Sequence, residues 1–170
     1  WKLYVYIDLF KRGFWKIWLY SVWQYHWTLF LWCHNIRLDD VTEGAAQTIL
    51  TAKELINDDT PMLSLNTDQM IDYNPEHMWT IAEHYDGYIP CFWGDSEDWS
   101  YARCLPNGYV QEVAEKKVIS NNATAGYYYW KKGSDFVKYA EQMIEQNSRT
   151  NGEFYVCLLY TSPSPRDRQW

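Results

Sequence analysis

Basic residues are scarce and scattered. The 170-residue chain carries 15 Lys and Arg against 22 Asp and Glu, a formal net charge of -7. No basic block stands out, so a nucleic-acid partner is not expected. An acidic chain can still hold phosphates locally, through backbone amides, single lysines and a metal. The four cysteines, Cys33, Cys91, Cys104 and Cys157, show no CxxC or other zinc spacing, which points to free thiols rather than a metal cluster. His77 and His84 lie seven apart on an expected helix, but no acidic third ligand accompanies them. The sequence has no run of about 18 apolar residues, so no membrane span is expected. Its first residues lack the basic region, apolar core and small-residue cleavage site of a signal peptide, and a cytoplasmic location is expected.

Glycine and proline are also nearly missing from the first 32 residues, where only Gly13 interrupts the run. That stretch holds six of the eleven tryptophans, Trp1, Trp15, Trp18, Trp23, Trp27 and Trp32, with four tyrosines and three phenylalanines. Neither a period of two nor one of 3.6 survives along it. Residues 1–35 are therefore expected to be an aberrant segment, translated in a wrong frame upstream of a frameshift. At the other end, the eleven residues CLLYTSPSPRD, Cys157 to Asp167, can be encoded by a transposase-type sequencing adapter. Residues 157–170 are expected to be read-through of that kind. The interpretable domain is then 36–156, a fragment.

Within it, Asn35 to Val41 suits a short strand. Thr42 and Gly44 open a helix whose apolar positions Ala45, Ile49, Ala52, Leu55 and Ile56 approach helical spacing, stopped by Asn57, Asp58, Asp59 and Pro61. Met62 to Leu65 reads as a buried strand. Asn74 caps a helix with Pro75 at its first position, running to about Tyr85. Gly87 to Trp93 reads as a strand. Ala102 to Leu105, then Pro106-Asn107-Gly108, then Tyr109 to Val113 is a hairpin. Ala125 to Trp130 is a strand interrupted by Gly126. Ser134 caps a helix to about Gln146, with Phe136, Val137, Ala140, Met143 and Ile144 on its apolar side. Gly152 to Val156 begins a further element. The alternation indicates an α/β fold with one antiparallel excursion. In such sheets ligands bind beyond the carboxyl ends of strands. Asp68, just after Met62–Leu65, is then where a metal-bound phosphate belongs.

The motifs VTEGAAQT (41–48), LNTDQ (65–69), EVAEKK (112–117) and NGEFYV (151–156), with ATAGYYYW and GSDFVKYAEQMI between the last two, resemble the sugar-phosphate nucleotidyltransferases, or NDP-sugar pyrophosphorylases, of the capsule and lipopolysaccharide type. The resemblance covers about residues 36–156. It implies a Rossmann-like α/β nucleotidyltransferase domain with a mixed sheet, here truncated at both ends. It implies transfer of a nucleotidyl group from a nucleoside triphosphate to a sugar 1-phosphate, giving an NDP-sugar and pyrophosphate for surface polysaccharide. The chemistry is in-line attack on the α-phosphorus, which needs positioning and charge neutralisation. Mg²⁺ is the implied cofactor.

By that resemblance Glu43, Gly44 and Ala45 are the turn against the nucleotide base. Asp68 is the Mg²⁺ ligand and a catalytic residue, oriented by Asn66 and Gln69. Glu115 and Lys116 are the sugar-phosphate pair, with Lys116 also catalytic as a point charge on phosphate. Thr124 and Gly126 line the sugar, and Glu153 contacts a sugar hydroxyl. Nothing in residues 1–35 matches the family's Gly-rich triphosphate loop or its Pro-Lys segment, so the chain as it stands is expected to be inactive. Two other readings stand beside this one. A nucleotide-sugar glycosyltransferase of related fold would want an Asp-x-Asp pair, whereas LNTDQ has one Asp. A non-catalytic interaction protein would use the aromatic N-terminus as its contact surface. The sugar, the base and the oligomeric state are left open.

Overall fold

The computed structural model describes residues 4–8, 33–38, 40–66, 72 and 74–161. These fall into two units, 1–42 and 43–170. In the first, β1 (Tyr4–Asp8) pairs antiparallel with β2 (Cys33–Arg37), from Tyr4 opposite Arg37 to Asp8 opposite Cys33. The strand expected over Asn35–Val41 is thus set two residues earlier, where its partner lies.

The second unit opens with α1 (Ala45–Leu50) and α2 (Lys53–Ile56). One helix was the expectation from the apolar spacing. It breaks because the Thr51 hydroxyl donates to the Thr48 carbonyl at 2.7 Å, while Ala52 N–H tightens onto Ile49 at 3.0 Å. Local side-chain bonding of this kind competes with the helical ladder. Strand β3 (Met62–Leu65) follows, then α3 (Pro75–Ala82). Asn74 caps α3 as its sequence suggests, its Oδ1 accepting from Glu76 N–H at 2.9 Å and His77 N–H at 3.4 Å.

The strand expected over 87–93 is split, and the one expected over Ala125–Trp130 begins only at Tyr127, with a separate short strand before the same bend. Residues 87–93 divide into β4 (Gly87–Tyr88) and β5 (Cys91–Trp93); residues 122–130 divide into β8 (Asn122–Thr124) and β9 (Tyr127–Trp130). Pro90 has no N–H to give a ladder, and Gly126 takes φ +70°, so both chains bend there. They stay joined at the bend, where Ala125 N–H donates to Pro90 O at 2.9 Å. Below it, β4 and β3 flank β9; above it, β5 and β6 (Ser100–Cys104) flank β8, with β7 (Val110–Glu115) outermost. Every pairing among the described strands is antiparallel. The β6–β7 hairpin turns where expected: Gly108 takes φ +87° and donates to Leu105 O at 2.9 Å.

Helix α4 (Gly133–Glu145) buries Phe136, Val137, Ala140 and Met143. Edge-on contact of Phe136 with Trp130, 5.7 Å between centroids, ties it to the core. Full burial of a side chain such as Phe136 or Phe154 is worth about 1.5–3 kcal/mol. Its cap is not Ser134. The helix starts two residues earlier, with Lys132 at the cap, because Gly133 N–H donates to Thr60 O and Ser134 N–H to Asp58 O, both at 2.9 Å. The loop after α2 thus satisfies the first-turn donors that a side chain would otherwise cap. The last described residues form a 3-10 turn, Cys157–Thr161, in which Cys157 and Leu159 are buried. The Tyr160 hydroxyl donates to Tyr129 O at 2.7 Å.

Candidate active site

The bend between the two sheets opens a cavity of about 270 Å³. That is small beside the roughly 300–1,000 Å³ pockets that enclose whole drug-sized ligands. Ala45 enters it from the start of α1, Asn66 from the end of β3, and Thr124 and Gly126 from the bend itself. Asn66 N–H donates to Gly126 O at 3.0 Å, which fixes the end of β3 against the bend. Ser100 and Glu115 face each other across β6 and β7, and Tyr128, Tyr155, Val156 and Cys157 complete the wall with Asp98 and Trp99.

Glu115 is the hub of the polar groups. The Ser100 hydroxyl donates to its Oε2, and the Cys157 thiol approaches the same oxygen at 3.4 Å. The Thr124 and Tyr128 hydroxyls bond each other at 3.2 Å. Burial, with the Cys157 thiol beside it, pushes the Tyr128 phenol up; burial and then the Glu115 carboxylate push Cys157 up. Burial first, and then Glu153, push Tyr155 up to about 12. These groups therefore stay protonated near neutrality. They serve as hydrogen-bond donors, and Cys157 is no thiolate nucleophile.

Of the residues expected at the site, Ala45, Asn66, Glu115, Thr124 and Gly126 share this cavity. Glu43 and Gly44 do not line it; they fix the turn that carries Ala45 into it. Phe154 N–H donates to Glu43 O at 2.8 Å, and Ala46 N–H donates to Phe154 O at 3.0 Å, with Gly44 between at φ +128°. The Glu43 carboxylate accepts from Arg149 at 3.0 Å, which holds its pKa below the usual range. Lys116 is exposed beyond the end of β7, in a left-handed conformation at φ +51°. Glu153 is exposed in a turn bridged to Thr150. Asp68 and Gln69 lie outside the described residues. Among the described residues no three His, Cys, Asp or Glu side chains converge as a metal cluster.

Ser100, Tyr128 and Arg149 went unremarked in the sequence. Ser100 was findable by counting back from the Pro106-Asn107-Gly108 turn. Counting evenly from Cys104 opposite Val110, however, sets Ser100 against Ala114. The bulge between Arg103 and Cys104 moves it one residue on, to Glu115.

Comparison with protein families matches residues 26–160 to the nucleotidyl transferase family. The chain belongs to that family. Among solved structures, a nucleoside-diphosphate-sugar pyrophosphorylase from Vibrio cholerae RC9 is similar at 24% identity and a TM-score of 0.59. The match covers 72% of this chain and 53% of that one, so the chain spans about half the length of the structure it resembles. The likeness establishes the expected α/β nucleotidyltransferase fold. No curated protein matches. No helix among the described residues is long and apolar enough to cross a membrane.

Proposed function

We propose that this member of the family belongs to an enzyme that joins a nucleoside triphosphate and a sugar 1-phosphate, releasing pyrophosphate and an NDP-sugar for surface polysaccharide, in the cytoplasm. The observation that carries the reading is that Ala45, Glu115, Thr124 and Gly126, from three separate motifs, surround one cavity. In this reading the backbone at Ala45 meets the base. Glu115 accepts a hydroxyl of the sugar ring, and the exposed Lys116 ammonium reaches its phosphate as a point charge. Thr124 and Gly126 shape the ring's seat, and Glu153 reaches a further hydroxyl. Orientation of the sugar-phosphate oxygen for in-line attack is what these groups contribute.

Mg²⁺, with Asp68 as ligand, supplies neutralisation of the phosphate oxygens when bound. The reading includes a wrong-frame origin for residues 1–35 and adapter read-through for residues 157–170. The burial of Cys157 and Leu159 is compatible with it, because apolar side chains fill core space whatever encoded them. Independent reads of the source DNA test that part. The activity is tested on the coding region so recovered, by pyrophosphate release with panels of triphosphates and sugar 1-phosphates. Asp68→Ala is expected to lower turnover by about 100-fold or more, in line with the loss of a charge-neutralising group. An equally active Asp68→Ala enzyme refutes the metal role.

A further inference from the structure

The hairpin register sets Ser100 directly opposite Glu115, and the Ser100 hydroxyl donates to Oε2 of the carboxylate. The Cys157 thiol lies 3.4 Å from the same oxygen. Among the described residues, no bond to Oε1 accompanies these two. A free glutamate side chain loses up to about 2 kcal/mol of rotamer freedom on being fixed. Ser100 fixes it before any ligand arrives, and does so from a strand rather than a loop.

The charge around the cavity restricts what can meet that oxygen. Among the described residues its lining includes two carboxylates, Asp98 and Glu115, and neither Lys nor Arg. A ligand group seated there must bring a donor, and a second carboxylate would meet like charge without a counter-ion.

We infer that Ser100 is a positioning residue: by holding Oε2 of Glu115 it presents Oε1 to a hydroxyl of a neutral sugar ring in the cavity. The inference rests on the sugar 1-phosphate reading above. Its immediate consequence is that the Ser100 hydroxyl, which need not touch the sugar, governs how tightly the sugar is held.

The test is NMR titration of the chain with glucose, mannose and galactose 1-phosphates, following ring-proton saturation transfer and affinity. Ser100→Thr keeps the hydroxyl; Ser100→Val has the same shape without it, and Ser100→Ala is a second deletion. Ser100→Val and Ser100→Ala are expected to weaken the best-bound sugar phosphate by about tenfold, the scale of one hydrogen bond to a charged group. Ser100→Thr is expected to stay within about threefold of the unsubstituted protein, and Ser100→Val to melt close to Ser100→Thr. In a Glu115→Gln background, deleting the hydroxyl is expected to add little, because the two residues act as one unit. Undiminished binding by Ser100→Val, equal loss in Ser100→Thr, or full additivity with Glu115→Gln overturns the positioning role alone. Binding of none of the three sugar phosphates to the unsubstituted protein overturns it together with the reading on which it rests.

Discussion

Gly44→Ala tests the turn that carries Ala45 into the cavity. Gly44 sits at φ +128° and ψ 169°, an extended left-handed conformation that is essentially reserved for glycine. A Cβ built there would lie 2.5 Å from Phe154 N and 2.6 Å from Phe154 O. Those are the two atoms that bind Glu43 O and Ala46 N–H, so the methyl must push apart the pair of backbone bonds that joins the VTEGAAQT loop to NGEFYV. The conformation costs about 1–3 kcal/mol for a residue with a side chain. Each lost bond adds about 0.5–1.5 kcal/mol. The whole is about 2–6 kcal/mol, a large part of a domain stability of roughly 5–15 kcal/mol. For a chain of this size that corresponds to a fall in melting temperature of about 5–20 °C. Near-UV circular dichroism is a suitable assay in a chain with 11 Trp and 15 Tyr. Gly108→Ala is the control, since Gly108 also has positive φ (+87°) but its Cβ would meet nothing within 4 Å. It isolates the conformational cost of about 1 kcal/mol. If Gly44→Ala melts with Gly108→Ala, the close approach to Phe154 does not hold that turn together and the reasoning fails.

The remaining predictions concern the same region. Arg149 lies over the Phe154 ring at 4.2 Å, donates to Gly152 O at 3.2 Å and pairs with Glu43. Arg149→Met is expected to cost about 1–3 kcal/mol in urea unfolding, with Glu43→Gln costing less because an acceptor oxygen remains; the reverse order would refute this. Tyr155 is pushed up to about 12, against an ordinary tyrosine near 10. The folded state thus favours the neutral phenol. The stability this contributes is complete below about pH 10 and is lost as pH rises toward 12. Absorbance at 295 nm should show part of the tyrosine ionising late, together with loss of near-UV signal, and Tyr155→Phe should make the alkaline fall in stability shallower. Complete ionisation near pH 10 in a still-folded protein would contradict it.

Much of the fold was legible because local chemistry and tertiary context agree there. Met62–Leu65, bounded by Pro61 and Asn66, is a strand as expected, although half-buried with Leu65 exposed rather than buried, and it shares with the Asn74-Pro75 helix start determinants that lie within a few residues. The Pro106-Asn107-Gly108 turn is another. What was not legible came from partners distant in sequence. The start of α4 looked like a Ser134 cap because nothing local reveals that Thr60 and Asp58 carbonyls already satisfy its first donors. Residues 87–93 read as one continuous strand because a period of two does not register a change of sheet, and Asn122–Thr124 was not read as a strand at all. Only Pro90 and Gly126 marked the bend, and the interruption expected at Gly126 did not reveal its consequence, a step from one sheet into the other.

The site divides along the same line. Ala45, Glu115, Thr124 and Gly126 were found through motifs, which carry residue type and order but not orientation. Orientation belongs to groups that the motifs omit. Ser100 lies 15 positions before Glu115 and meets it only because a bulge shifts the register by one. Arg149 meets Glu43 across 106 positions. Glu43 shows the cost of reading a motif alone. The family resemblance assigned it to the nucleotide base, yet its carboxylate is engaged by Arg149 while its carbonyl holds Phe154. A residue so occupied can still set the position of the Ala45 backbone. Its carboxylate can approach a ligand only by giving up an interaction that also fixes the turn carrying Glu153. The turn assigned to the base and the turn assigned to the sugar are therefore mechanically one piece, joined through Gly44, Phe154 and Arg149.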